Sequence, residues 1–239
     1  SAFGQLNIQG PRSRELMQAI TTTDLSNRAF PFRHAAEIDI GYARALCIRI
    51  TYLGELGYEL YIPAEQALHV YDHIVEVGEE FGLRHAGLKA LASLRLEKGY
   101  RDYGHDIDNT DDPFETGLGF AVSFKKPGGF IGKDAAEKKR SATPYSRRLA
   151  QVLVKDPEPL LFHAEVVRRN GDAVGYVRAG SYGFSLGGAI GLFMIEAGEP
   201  VTRSYIEEGR WEIDIAGTTY PAEVSLQPMY DPKLAKVKG

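Results

Sequence analysis

The sequence predicts an α+β part followed by an all-β part, and three observations carry that reading. In the first 140 residues, apolar side chains recur both at helical spacing (Leu16, Met17, Ile20) and in alternation (Tyr58, Leu60, Ile62). After Arg148 the texture changes to short β-type runs punctuated by turn residues, which predicts a separate small β-barrel or sandwich. Between the two, Ser141 to Ser146 with its Pro144 reads as a linker, so domains are expected at 1–140 and 147–239.

Gly10-Pro11 followed by Leu16, Met17 and Ile20 predicts a helix with proline at its start, ending near Thr21 to Thr23. Leu46, Ile48, Ile50 and Tyr52 then alternate with Cys47, Arg49 and Thr51. Gly54 to Gly57 turns the chain, and Tyr58, Leu60 and Ile62 resume the alternation. This is a hairpin in which Glu59 faces away from Tyr58 and Leu60. Pro63 opens a second helix whose apolar arc holds Ala67, Val70, Tyr71, Ile74 and Val75, with His69, His73, Glu76 and Glu80 opposite and Gly82 as its stop. A third helix, from about Leu88 to Lys98, closes at Gly99 and delivers an acidic loop. In the second part Asn170-Gly171 is a two-residue hairpin signal, and Gly180, Gly187, Gly198, Gly209 and Gly217 punctuate the rest.

With 239 residues, 44% hydrophobic and 25% charged, the chain can bury a sizeable core. A net charge of -4 gives no broad positive field for a phosphate backbone, which argues against a nucleic-acid partner. No apolar run approaches the ~18 residues of a membrane span, and the first residues have no signal-peptide layout, so neither a membrane partner nor secretion is expected. The single cysteine, Cys47, excludes an internal disulfide and reads as a small core residue. The expected location is cytoplasmic, or the mitochondrial matrix in a eukaryote.

Arg95 is the most informative residue. Leu88, Leu91, Ala92 and Gly99 share one helical stripe, and Arg95 falls in its middle. A guanidinium keeps its proton and is rarely buried without a partner, so Arg95 is either satisfied internally or aimed at a ligand. Its planar fork suits a carboxylate or a carbonyl-rich ligand, and lysine should not replace it. Glu97 lies on the far side of the helix and is not the expected partner. The hairpin from Tyr52 to Glu59 sets a flat ring beside a carboxylate at a glycine turn. From the residues alone a core tyrosine and a solvent-facing glutamate is the favoured reading, and a flat ligand with adjacent N–H donors is the other.

The acids from Asp102 to Glu115 do not fit an EF-hand, since the sixth and twelfth positions from Asp106 are Asp111 and Gly117. They read as a hydrogen-bonded rim loop with Tyr103 as a weaker ligand-facing candidate. His69 and His73 have zinc-like spacing, but Val70 stands where a metalloprotease carries glutamate, and no metal is expected. No nucleophile elbow, Gly-x-Gly-x-x-Gly fingerprint or Walker loop is present, so no flavin or nicotinamide domain is expected here.

The segments NIQGPRSR (7–14), YLGELGYEL (52–60), SLRLEKG (93–99), YGHDID (103–108), PFETGLG (113–119) and YGFSLGG (182–188) together resemble the aminomethyltransferase family, meaning the glycine-cleavage T-protein and the folate-binding modules of sarcosine and dimethylglycine dehydrogenases. Gly188 stands where many T-proteins carry lysine, and Lys98-Gly99-Tyr100-Arg101 is closer to the dehydrogenase modules. The resemblance implies a folate-binding aminomethyltransferase-like domain followed by a C-terminal all-β barrel. It also implies tetrahydrofolate as cofactor, Tyr52 and Glu59 on the pterin, and Arg95 on the folate. FAD is implied only from another segment or subunit. A preceding segment is expected to supply the catalytic aspartate and part of the pocket, so no catalytic residue is assigned within the chain. The implied partners are a small-molecule amine or N-methyl donor, or a lipoyl carrier protein, with a flavin dehydrogenase segment or subunit alongside. The implied activity is transfer of a one-carbon unit from an amine to give 5,10-methylenetetrahydrofolate, with a folate-dependent demethylase or a non-catalytic regulatory module as alternatives.

Overall fold

The computed structural model describes all 239 residues. In chain order the elements are β1 (Phe3–Gln9), α1 (Ser13–Ile20), β2 (Ala35–Ile40), β3 (Ala43–Ile48), β4 (Gly57–Pro63), α2 (Ala67–Gly78), α3 (Leu88–Glu97) and α4 (Lys133–Ser141). There follow β5 (Arg147–Val154), β6 (Val166–Arg169), β7 (Asp172–Gly183), β8 (Gly188–Glu196), α5 (Arg203–Glu207), β9 (Trp211–Ile215), β10 (Thr218–Ser225) and α6 (Ala235–Lys238). Two compact units result: Ser1–Leu91 with Asp231–Gly239, and Ala92–Tyr230.

The first unit is an antiparallel sheet of order β1-β4-β3-β2. Ile8, Ile38, Ile40, Tyr58, Leu60 and Ile62 from the sheet pack with Leu16, Met17 and Ile20 of α1 and Val70 and Ile74 of α2 in one core. The inward register of β3 is Ala43, Ala45 and Cys47. Burial raises the Cys47 thiol to about 12, so it stays a neutral, inert core residue at physiological pH. Leu46 and Ile50 lie on the other side and remain exposed. On α2 the inward row runs through Val70, Ile74 and Val77, whereas Tyr71 turns out and its hydroxyl meets His85 Nε2 at 2.9 Å. The expected second helix was therefore rotated slightly: Tyr71 counts as apolar by composition, but its hydroxyl favours the wet side. Strands β1 and β2 are additions to the sequence reading, because polar Gln5, Asn7, Glu37 and Asp39 face outward and dilute the apolar pattern.

The second unit closes six antiparallel strands into a barrel, β10-β5-β8-β7-β6-β9. Asn170 (φ 55) and Gly171 (φ 94) make the left-handed pair of the β6–β7 hairpin, as their dipeptide signals. Ala150, Val152, Val177, Phe193, Ile195, Trp211 and Ile213 fill the interior. Strand β8 is buried on both faces from Gly188 to Ile195, which accounts for its unbroken apolar run. Its outward residues Ile190, Leu192 and Met194 join Leu149, Ala179 and Leu96 of α3 in a second layer.

Candidate functional site

Glu59 stands on the face of the first sheet that points away from the core. Across the ladder it pairs with Asn7 of β1 and Ile48 of β3, and the next row joins Tyr61 to Gln5 and Leu46. Its Oε2 accepts hydrogen bonds from the Tyr61 hydroxyl at 2.8 Å and Gln5 Nε2 at 3.2 Å. Both donors converge on one oxygen, so Oε1 keeps its lone pairs for an incoming donor pair. The Glu59 carboxylate and partial burial together push the Tyr61 hydroxyl above the usual phenol range. Gly57 lies two residues before Glu59 on the same face, and the Gln9 amide lies across it where a β-carbon would go. A side chain at this position would have to displace the flexible Gln9 amide.

Tyr52 belongs to the 49–56 connection that precedes β4 and is half-buried. The Thr51 hydroxyl caps this turn by accepting from the Leu53 and Gly54 amides at 3.1 Å each, and Leu56 O accepts from Gly10 N at 2.8 Å. Beneath it Arg49 is 1% exposed. Its guanidinium donates to Phe30 O at 2.9 Å and Lys238 O at 2.6 Å.

Arg95 and Tyr103 belong to the second unit. Arg95 is buried and forms a two-pronged pair with Asp106, Nη1 donating to Oδ2 and Nη2 to Oδ1 at 3.1 Å, while Nη1 also donates to Tyr100 O at 3.1 Å. The guanidinium is thus satisfied within its own unit, which is the internal branch of the sequence alternative. Asp106 is 0% exposed and also accepts from Asp102 N at 2.9 Å. Together these bonds fix the 102–107 loop, whose Tyr103 is 72% exposed. Arg95 consequently presents Tyr103 through the loop.

The same loop is tied to the barrel by a chain of ions. Arg178 of β7 donates to Asp111 Oδ2 at 2.7 Å and to Asp106 O at 3.0 Å, and Arg147 of β5 donates to Asp111 Oδ1 at 2.7 Å and Glu115 at 3.1 Å. Burial alone raises the Asp111 carboxyl, but hydrogen bonds from Arg178, Asp108 N and Arg147 outweigh it and hold it below the usual range. A carboxyl depressed on folding stabilises the native state above its unfolded pKa, and that contribution disappears as pH falls through the folded value. Acid unfolding should therefore steepen below about pH 4, near the ordinary aspartate value. Urea midpoints measured across pH 2–6 should show a smaller acid loss in Asp111→Asn than in wild type.

Glu97 of the SLRLEKG motif and Gln151 of β5 turn out to hold structure, and sequence periodicity gave no sign of their partners. Glu97 accepts from Ser185 N at 2.6 Å, Leu186 N at 3.2 Å and the Ser185 hydroxyl at 3.0 Å. Gln151 of β5 donates to Leu96 O and Glu97 O and accepts from Met229 N at 2.7 Å. A lone glutamine in the apolar run RRLAQVLV was the available signal for the latter. His69 rests against Tyr42 with ring centroids 3.7 Å apart. No helix is long and apolar enough to cross a membrane.

Comparison with known proteins places these features. Residues 1–126 match the GCVT N-terminal domain model and residues 147–231 the glycine cleavage T-protein C-terminal barrel domain model. A 4-methylaminobutanoate oxidase (formaldehyde-forming) of Paenarthrobacter nicotinovorans is 41% identical over 239 residues, covering 100% of this chain and 28% of that protein. The mitochondrial sarcosine dehydrogenase of Mus musculus is 38% identical over 239 residues, covering 99% of this chain and 26% of its own length. The chain thus spans about a quarter of the length of these relatives. The crystal structure of glycine cleavage system aminomethyltransferase T from Bartonella henselae shares the fold, with a TM-score of 0.76, 22% identity, and coverage of 94% of this chain and 58% of that one. With the α+β sheet unit, the closed barrel and a family model spanning more than half its length, the chain belongs to the GCVT (glycine cleavage T-protein) family.

Proposed function

We propose that the chain is the folate-holding part of an aminomethyltransferase-type module, and that the outward face of the first sheet receives the pterin of tetrahydrofolate. The observation that carries this reading is Glu59, whose Oε2 is already loaded by Tyr61 and Gln5 while Oε1 receives neither of these bonds. The donor set fits the ligand: a carboxylate accepts the paired pterin donors, Tyr52 supplies an aromatic face, and Leu46, Ile48 and Ile50 offer apolar contact. When bound, tetrahydrofolate would supply the nitrogen that takes up a one-carbon unit. The residues of this chain hold and orient it and exclude water that would release formaldehyde. In the second unit, Tyr103 stands exposed on the loop that the Arg95–Asp106 pair braces and is a separate candidate for a ligand-facing residue.

The relatives' names support an amine as the one-carbon donor, whether 4-methylaminobutanoate-like or sarcosine-like, with any FAD carried by another segment or subunit. The matrix is the matching compartment if the parent is eukaryotic, and the cytoplasm otherwise.

Anaerobic calorimetric titration of tetrahydrofolate into wild type and Glu59→Gln tests the assignment. A charge-assisted donor pair contributes about 3 kcal/mol, so Kd should rise roughly 100-fold in the variant. Equal affinities in the two proteins would remove Glu59 from the site.

A further inference from the structure

Segment Asp231–Gly239 packs into the first unit, although the whole of the second unit separates it in sequence from Leu91. The Asp231 carboxylate starts its single helical turn by accepting from the Ala235 and Lys236 amides at 2.8 and 3.2 Å. Val237 is its anchor, 1% exposed. Two polar ties fasten the far end: Asn27 Nδ2 donates to Gly239 O at 2.9 Å, and Arg49 Nη2 donates to Lys238 O at 2.6 Å. Apart from Val237 the segment's residues are exposed or half-buried, which places it at the low-stability end of the unit.

Arg49 joins this segment to the 49–56 connection that carries Tyr52. The acceptors of its buried guanidinium are two main-chain carbonyls, Phe30 O and Lys238 O, and its buried Nε has none. A buried cation with so few acceptors depends on each of them. Arg49 is also the root of the connection, its amide donating to His34 O at 2.9 Å and its carbonyl accepting from Arg33 N at 2.8 Å. At the other end Leu56 O accepts from Gly10 N at 2.8 Å and from the Ser13 hydroxyl at 3.0 Å. Between these ends Glu55 and Leu56 line an open groove of about 580 Å³ together with Pro11, Ala235, Lys236 and Gly239. The connection thus borders open space beside the segment, where packing does not fix it.

We propose that segment 231–239 is a strap whose docking on Arg49 positions Tyr52 for the ligand of the sheet face, which makes Arg49 a positioning residue; the assignment rests on the folate reading proposed above. With the strap docked, Lys238 O completes the acceptors of the guanidinium and keeps water from the root of the connection. When the strap lifts, Arg49 loses one of two carbonyls and must be solvated. Water then enters beneath Thr51 and Tyr52, and the aromatic face is no longer held in advance for the pterin. The coupling is reciprocal, so bound ligand holds the strap down.

Hydrogen exchange and tetrahydrofolate titration of the 239-residue chain test this. Val237→Asp puts a charge into the anchor site and undocks the strap. Exchange at the Leu53 and Gly54 amides, which donate to the Thr51 hydroxyl, should quicken about tenfold while the β3–β4 ladder keeps its protection. The tetrahydrofolate Kd should rise about tenfold. In a Tyr52→Ala background the same substitution should change Kd by less than about twofold, because the strap acts through Tyr52. Asn27→Ala, a milder change at an exposed residue that removes the tie to Gly239 O, should move both readouts the same way by about threefold. It carries the test should Val237→Asp fail to fold. Unchanged Kd in a variant that binds tetrahydrofolate overturns the positioning role and leaves the folate reading standing, and so does a rise in Kd that persists without Tyr52. Failure of wild type to bind overturns the folate reading and, with it, the role assigned to Arg49.

Discussion

Asp106→Ala is expected to destabilise the second unit by about 3–5 kcal/mol, because it leaves the Arg95 guanidinium buried without its counter-charge. The pair is nearly solvent-free, with side chains 6% and 0% exposed, so screening by water or salt does not weaken the effect. Asp102 N and His105 Nδ1 lose their acceptor in the same step, which loosens the loop carrying Tyr103. A domain of this size should lose roughly 10 °C in Tm. Arg95→Lys should lose nearly as much, since an ammonium cannot make the two-pronged contact and reach Tyr100 O together. The double variant Arg95→Met with Asp106→Leu should be more stable than Asp106→Ala, because it removes the uncompensated charge. Urea unfolding of the three variants decides the matter. If Asp106→Ala unfolds within 1 kcal/mol of wild type, Arg95 has another partner and the loop is held by other means.

The elements legible in the sequence were those whose pattern is local. The α+β and barrel classes followed from apolar spacing and from Asn170-Gly171, because helix period and hairpin turn chemistry are set within a few residues. The β3–β4 hairpin was legible too, although its connection spans 49–56 where glycine spacing suggested a turn from Gly54 to Gly57. Strands β1 and β2 escaped because Gln5, Asn7, Glu37 and Asp39 face outward and dilute the apolar count. The candidate site was legible only in part. Glu59 stood out by its glycine-flanked turn, but Tyr61 and Gln5, which load its Oε2, are set by sheet register, and register links residues 54 and 56 positions apart. Arg95 was recognisable as an anomaly in an apolar stripe, whereas its partner lies in an irregular loop with no period to follow. Buried polar residues announce that a partner is required; naming the partner takes the fold.

Glu97 carries the same lesson into a second large effect. Glu97→Ala is expected to cost about 2–3 kcal/mol, because the amides of Ser185 and Leu186 and the Ser185 hydroxyl lose the acceptor that the buried Glu97 carboxylate supplies. The helix end that Gln151 fastens through Leu96 O and Glu97 O should stay in place, so the damage concentrates in the Gly183–Gly188 turn between β7 and β8. Glu97→Gln separates geometry from charge. Its amide oxygen can occupy the Oε1 position and receive both backbone donors, and its NH₂ can face the Ser185 hydroxyl, which then accepts. This variant should regain more than half of the alanine loss. Hydrogen exchange at the Ser185 and Leu186 amides reads the local effect directly: fast exchange is expected in Glu97→Ala and near-native protection in Glu97→Gln. Native protection in both variants would show that the turn closes on its own hydrogen bonds, such as Gly187 N to Gly183 O, and that the buried glutamate of the SLRLEKG motif serves something other than the barrel hairpin.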